Sequence, residues 1–164
     1  MAVDGVYDFS VLITRFLEGD RTKSRAAVKA PEAPEIDEEL ARAFESSPTA
    51  RWAITHGMCV MGGRTPREYA ARAMDFNARD GVAERIDCAA LICEAEDDLF
   101  FKGQPEEVFD HLTTNDKTLL RLTDVEGAGA HCRVGGQRYA FEKIFDWLDD
   151  HTPVADAPRT PTPQ

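Results

Sequence analysis

The sequence predicts an α/β fold in which a mostly helical first half precedes two parallel strands with crossover helices. Residues 89–93 and 118–122 are short apolar runs with the length of buried strands. A helix pattern over residues 104–112 separates these runs, and another helix follows the second run. Alternation of strands and helices indicates a parallel sheet, because parallel strands need a crossover connection.

The predicted sheet is incomplete. Helices normally cover both faces of a parallel sheet, yet residues 88–148 contain only two convincing strands. Two strands cannot form the whole doubly wound arrangement that the alternation suggests. We therefore expect sheet edges that lack neighbouring strands.

Helices dominate the first half of the chain. The run VLITRFL over residues 11–17 predicts a short helix. The charged stretch 18–35, which contains two prolines, predicts a loop or mobile connection. A further helix is expected near residues 37–45, and no segment between residues 8 and 80 has convincing strand character.

Two more helices in this half have clear start and stop signals. One begins at Pro48 and ends at Gly62, the first of two consecutive glycines. The next begins with Thr65 as its N-cap and Pro66 at its first position, and Glu68 completes a capping box.

The last helix has the most regular pattern in the chain. Phe141, Ile144, Phe145 and Leu148 follow the i, i+3, i+4, i+7 spacing of an amphipathic helix. The residues after it, 151–164, are rich in proline and threonine and predict a disordered tail.

The composition argues against several classes of partner. The 164 residues carry a formal net charge of −11 and a pI of about 4.8, which opposes binding to nucleic acid or to an anionic membrane. No run approaches the roughly 18 apolar residues of a membrane span, and the N-terminus lacks the apolar region of a signal peptide. We expect a soluble, cytoplasmic protein.

The four cysteines predict neither a disulfide framework nor a metal site. Cys59, Cys88, Cys93 and Cys132 form no C-x-x-C pair. Cys132 is adjacent to His131, but no further ligands cluster at metal-like spacing in the sequence. We expect buried or loop thiols, with no bound metal.

A carboxylate and an imidazole follow the two predicted strands. Asp97 lies in the loop after the first strand, and His131 lies in the loop after the second strand. Parallel strands bring these loops to one edge of the sheet, where α/β proteins bind ligands. A carboxylate in that position can orient a histidine that acts as a general base. Gly127 and Gly129 would let the second loop fold tightly around the imidazole.

Several separated motifs resemble one group of α/β-hydrolases. This group includes 2,6-dihydroxypseudooxynicotine hydrolase, the fungal polyketide-shortening hydrolases and acylaminoacyl-peptidase-like enzymes. The motifs occur in the order of that family and extend over about residues 3–150. They are GVYDF (5–9), RWAITHG (51–57), TPREY (65–69), CEAEDDLFFKGQPE (93–106), GAGAHCRVG (127–135) and FDWLD (145–149).

The resemblance implies the C-terminal half of an α/β-hydrolase. Residues 1–7 would be the end of a core strand and a turn, residues 8–80 a helical cap, and residues 81–150 the C-terminal core segment. In this family the acid of a Ser-His-Asp triad follows one strand and the histidine follows the next strand. The resemblance thus implies that Asp97 and His131 are catalytic.

Two adjacent carboxylates compete for the role of the triad acid. The family places the acid three residues after a strand-end position that is usually glycine and is Glu94 here. The resemblance therefore favours Asp97. Asp98 is interpreted as a solvated loop carboxylate or a turn former.

The nucleophile of the family has no counterpart in this sequence. None of the serines, at positions 10, 24, 46 and 47, has glycines at the spacing of a G-x-S-x-G elbow. The G-x-C run at Cys59 has its second glycine one place late and follows a helical stretch. We expect a hydrolase half that supplies an acid and a base for cleavage of an ester, an amide or a ketone-adjacent C–C bond, and that is inactive alone.

The implied partners are a small-molecule substrate and either an N-terminal half-hydrolase chain or a second copy of this chain. No cofactor is expected. The alternative hypothesis is a non-catalytic binding or assembly module derived from a hydrolase. An upstream reading frame that ends in G-x-S-x-G would favour the first hypothesis, whereas a stable folded product without one would favour the second.

Overall fold

A three-stranded parallel sheet forms the core of the computed structural model, which describes residues 1–14, 17 and 21–152. The strands are β1 (Ala2–Val3), β2 (Ala90–Ala95) and β3 (Lys117–Leu122), in the order β1-β2-β3. Both strand pairs are parallel, which confirms the predicted parallel sheet. Among the described residues, β1 and β3 are the sheet edges, so the sheet is open.

Helices cover both faces of the sheet and also form a separate layer. The crossover helix α6 (Gln104–His111) connects β2 to β3, and α7 (Gln137–His151) follows β3. The separate layer lies between β1 and β2 in the chain. Its helices are α1 (Ser10–Thr14), α2 (Arg21–Lys29), α3 (Pro34–Ser46), α4 (Pro48–Met61) and α5 (Pro66–Ala73).

The alternation of side chains along β2 divides the sheet core into two apolar clusters. Ile92 packs with Val108 of α6 on one face, and Leu91 packs with Leu122 and Ile144 of α7 on the other face. Successive strand residues point to opposite faces, so a strand buried on both sides is apolar at most positions. In β2 the single charged residue is Glu94. The helical layer has a third cluster of its own.

The start and stop signals of α4 and α5 are confirmed. The Ser47 hydroxyl accepts a hydrogen bond from the Ala50 N–H, and Gly62 ends α4 in the left-handed region at φ 68°. The Thr65 hydroxyl accepts from the Glu68 N–H at 3.1 Å. The Glu68 carboxylate accepts from the N–H of the residue before the N-cap, so the capping box forms in a shifted version.

The predicted loop over residues 18–35 is wrong between Arg21 and Lys29, where the chain forms α2. Val28 on this helix is buried, and the Arg25 side chain donates to Ser10 Oγ. These contacts with distant residues stabilise a helix that composition alone did not indicate. Residues 15 and 16 of the predicted first helix lie outside the described residues.

The last helix is longer than predicted and buries a different set of side chains. Helix α7 continues to His151, which was expected to open the tail. Ile144 is buried, whereas Phe141 and Phe145 are more than half exposed. The rest of the predicted tail, residues 153–164, lies outside the described residues. None of the helices in the described part of the chain has the length and apolar character of a membrane span.

Candidate active site

The loop after β2 places a buried carboxylate at the carboxyl edge of the sheet. Asp98 Oδ1 accepts hydrogen bonds from the backbone N–H groups of Phe100 and Phe101, at 2.6 and 2.8 Å. This turn is typical of aspartate, whose short side chain can bind the backbone two and three residues ahead. The Asp98 side chain is only 4% exposed and is therefore held in one orientation.

The loop after β3 brings an imidazole to this carboxylate. His131 begins a short 3₁₀ turn, and its Nδ1 lies 2.9 Å from Asp98 Oδ2. Asp97 and Ala130 form an isolated parallel bridge in which the Asp97 N–H donates to the Gly129 carbonyl at 2.9 Å. The two loops are thus joined by backbone as well as by side chains.

Of the two adjacent carboxylates, Asp98 and not Asp97 contacts the imidazole. The Asp97 side chain is 60% exposed and lies 3.7 Å from Lys102 Nζ, while Asp98 contacts the imidazole. Strand β2 ends at Ala95, two residues later than the apolar run predicted. The resemblance took Glu94 as the strand-end position and counted three residues onward to Asp97. Counted from Ala95, where β2 ends, the same spacing reaches Asp98.

Two opposing effects act on the Asp98 carboxyl. Burial alone would raise the pKa of Asp98, because a charged group loses solvation. The hydrogen bonds from His131 and from the Phe101 and Phe100 N–H groups outweigh burial, and the pKa of Asp98 is below its ordinary value. Asp98 is therefore an anion at neutral pH and accepts a hydrogen bond from Nδ1 of His131.

Glycines shape the loop that carries His131, as the sequence predicted. Gly127 has φ 71°, a conformation that other residues rarely adopt. A Cβ atom at Gly129 would overlap the Asp124 carboxylate and lie 2.8 Å from the Asp124 backbone nitrogen. Both positions therefore require glycine in this loop.

An apolar cavity opens beside the pair. Its volume is about 460 Å³, and it lies between the helical layer and the loop after β2, with His131 among its lining residues. Phe100 packs edge-on against the imidazole with ring centroids 4.7 Å apart. The hydroxyl-bearing residues are Ser47 and Thr49. The apolar lining residues are Phe9, Leu12, Trp52, Ala53, Leu99, Phe100 and Phe101.

The arrangement can support proton transfer at the second imidazole nitrogen. With Nδ1 donating to Asp98, Nε2 is the acceptor nitrogen of the neutral ring. Nε2 makes no hydrogen bond to the part of the chain that the structure describes. An imidazole oriented in this way is suited to accept a proton from a nucleophile and to return it to a leaving group.

Two residues that the sequence did not indicate complete the surroundings of His131. Asp4, directly after β1, has Oδ2 at 3.9 Å from His131 Nδ1. Arg133, two residues after His131, is buried and forms an ion pair with Asp4. Asp4 directly follows β1, and Arg133 lies in the same turn as His131. These positions are the signal that could have suggested both residues, once β1 was paired with β2.

The only candidate metal ligands in the described residues are Asp4, His131 and Cys132, whose donor atoms lie within 4.8 Å of one another. The sequence spacing had not suggested Asp4. However, Asp4 is already paired with Arg133, and His131 Nδ1 is bonded to Asp98. A buried guanidinium opposes a second cation at the same place, so we interpret these residues as an ion-pair cluster.

The alternative nucleophile Cys59 lies away from this site. It is exposed on α4 and borders a different surface depression. The surrounding residues form a continuous helix, as the sequence predicted, and not a strand followed by a sharp turn.

Comparison with known proteins gives several partial matches. Hydrolase LUC6 of Fusarium sp is 32% identical over 104 residues, which are 60% of this chain and 25% of LUC6. Hydrolase acrC of Aspergillus aculeatus is 30% identical over 105 residues, 61% of this chain and 24% of acrC. The 20-hydroxy-prefusarin hydrolase FUS2 of Gibberella moniliformis is 30% identical over 103 residues, 60% of this chain and 25% of FUS2.

The chain is similar to hydrolases. It spans about a quarter of the length of these curated relatives. No family model and no solved structure matches it. Each of these relatives is named a hydrolase, and the comparisons leave the fold to be argued from the structure alone.

Proposed function

We propose that this chain carries the acid and the base of a serine-type hydrolase with an α/β-hydrolase fold. The observation that carries the proposal is the 2.9 Å contact between Asp98 and His131 Nδ1 on the wall of an apolar cavity. The parallel order of the strands and the hydrolase names of the relatives support it. Asp98 replaces Asp97 as the acid of this proposal.

In the proposed reaction, His131 Nε2 removes the proton from a serine hydroxyl as the serine oxygen attacks the substrate carbonyl. Asp98 keeps the proton on Nδ1 and stabilises the imidazolium that forms. The imidazolium then protonates the leaving group, and water attacks the acyl-enzyme with His131 again as the base. The serine belongs to a G-x-S-x-G segment outside this sequence.

The cavity defines the kind of substrate that this site would accept. Its lining is mainly aromatic and aliphatic, with hydroxyls only from Ser47 and Thr49. A charged substrate would lose its solvation there without an opposite charge. We therefore propose a small, uncharged substrate with an apolar body, whose ester, amide or ketone-adjacent C–C bond lies next to His131.

The test is reconstitution with a segment that carries the elbow. This chain alone, incubated with a fluorophosphonate probe and aryl esters, should show neither labelling nor turnover. Co-expression with the G-x-S-x-G portion of a similar hydrolase should give stoichiometric labelling of the elbow serine and turnover that depends on His131. Labelling of any residue in this chain alone, or turnover that survives His131→Ala, would contradict the proposal.

A non-catalytic binding module is the second candidate, and the cavity itself favours it. Residues of this chain form the apolar lining without help from a nucleophile. A stable complex of the chain alone with an uncharged aromatic ligand, together with failure of every reconstitution to give turnover, would select this second function.

A further inference from the structure

Two carboxylates, rather than one, approach the same nitrogen of His131. Asp98 Oδ2 lies 2.9 Å from Nδ1, and Asp4 Oδ2 lies 3.9 Å from Nδ1. Both side chains are well shielded from water, at 4% and 11% exposure. Asp98 is within hydrogen-bond distance of Nδ1, whereas Asp4 would reach it only if the imidazole turned toward Asp4.

A buried guanidinium lies on the other side of Asp4. The Arg133 side chain is 3% exposed, and its Nη1 pairs with Asp4 Oδ1. The Arg133 N–H donates to the Ala130 carbonyl at 2.8 Å, which ties this residue to the turn that carries His131. A buried guanidinium is stable only beside a carboxylate, so Asp4 and Arg133 hold each other in place.

We propose that Asp4 and Arg133 are a compensating ion pair whose role is to leave Asp98 as the sole effective carboxylate partner of His131. Arg133 cancels the charge of Asp4 and draws its carboxylate away from Nδ1. The imidazole then keeps the orientation set by Asp98. Asp4 and Arg133 act through His131 and are positioning residues.

The pair also limits the negative charge that the imidazole faces. Two uncompensated carboxylates within 4 Å would favour the imidazolium, and a permanently protonated imidazole cannot accept a proton. Among the described residues, the charged groups that form close pairs around His131 are Asp98 from the loop after β2, Asp4 from the end of β1, and Arg133 from its own turn. The functional meaning of this control rests on the proposed function.

The first test is NMR spectroscopy of the Nδ1 proton of His131 in the full chain, because a proton hydrogen-bonded to a carboxylate resonates at low field. In Asp98→Asn, the remaining carboxylate is Asp4, which Arg133 compensates. The Nδ1 signal should therefore move upfield or be lost, since no charged acceptor remains for this proton. A signal that keeps its position would overturn the inference, because Asp4 would then be acting as a free carboxylate.

The second test removes the pair itself in the Asp98→Asn background. Adding Arg133→Met should restore a low-field Nδ1 signal, since Asp4 is no longer compensated and can accept the proton. Adding Asp4→Asn as well should remove that signal again, a reversal that a purely structural role would not produce. A signal that Arg133→Met does not restore, or that survives Asp4→Asn, would overturn the inference.

The control is Arg121→Met, which removes an exposed arginine that pairs with Glu94 at the same sheet edge and should leave the Nδ1 signal of His131 unchanged. If Arg133→Met does not fold, Asp98→Asn alone decides the inference. None of these NMR measurements requires turnover, so failure of the reconstitution would be distinguishable from failure of this inference.

Discussion

At the residue scale, the site depends on which of two adjacent carboxylates reaches the imidazole. The resemblance favoured Asp97, whereas Asp98 is the carboxylate that contacts His131. The charged side chain of Glu94 concealed the end of β2 from an analysis of apolar runs. Glu94 continues the strand because its cross-strand neighbour is Arg121, whose Nη1 lies 3.1 Å from the Glu94 carboxylate. Because β2 includes a charged residue that is paired across the sheet, the end of its apolar run does not mark the end of the strand.

The lowered pKa of Asp98 predicts a dependence of stability on pH. A carboxyl whose pKa is lower in the folded state stabilises the fold above its unfolded pKa of about 3.9 and loses this contribution as pH falls through its folded pKa. The destabilisation caused by Asp98→Asn should therefore be larger at pH 6 than at pH 3. Urea unfolding at both pH values measures it, and an equal loss at both would contradict the assignment.

At the element scale, the buried carboxylate of Asp8 links the helical layer to the sheet. Asp8 accepts from the Ser10 N–H at the start of α1 and forms ion pairs with Arg25 of α2 and Arg79. The Asp8 N–H donates to the Gln104 side chain at the start of α6. The sequence did not predict helix α2, because the Arg25–Asp8 ion pair joins residues that are far apart in the chain. A local sequence pattern cannot reveal such a contact.

Asp8→Ala should destabilise the chain by roughly 2–3 kcal/mol. Breaking a fully buried ion pair costs about 3–5 kcal/mol of unfolding free energy. The expected cost is smaller here, because the Arg25 and Arg79 side chains are about a quarter exposed. The matched control is Asp75→Ala, which removes an exposed partner of Lys29 and should cost less than about 1 kcal/mol. Equal losses in denaturant unfolding would show that Asp8 is not the attachment point.

At the scale of the whole molecule, the α/β class, the order of β2, α6, β3 and α7 and the open sheet edges follow from the sequence. Helix α2 and the exposed aromatic surface of α7 do not. The pattern of α7 was correct in period, yet Phe141 and Phe145 lie outside the core, 51% and 60% exposed, with ring centroids 6.4 Å apart. The spacing of apolar residues identifies the apolar face of a helix, but it does not show which residues of that face pack against the sheet. The short strand β1 leaves an open sheet edge as well.

These surfaces predict self-association of the isolated chain at micromolar concentration. Open strand edges and exposed aromatic pairs both favour association. The net charge of −11 makes the chains repel one another, and added salt weakens this repulsion. Sedimentation velocity should show larger species that increase with salt and decrease in Phe141→Ser/Phe145→Ser. A cooperatively melting monomer under all these conditions would contradict the prediction.

The claim that Asp98 and His131 are the acid and base of a hydrolase is tested most directly by turnover of the reconstituted enzyme in two neighbouring variants. Asp98→Asn should lower kcat by about 10⁴-fold, as loss of the triad aspartate does in a serine protease. Asp97→Asn should change kcat by less than threefold, since its exposed carboxylate contacts Lys102 and not the imidazole. A mild Asp98→Asn together with a severe Asp97→Asn would contradict the account.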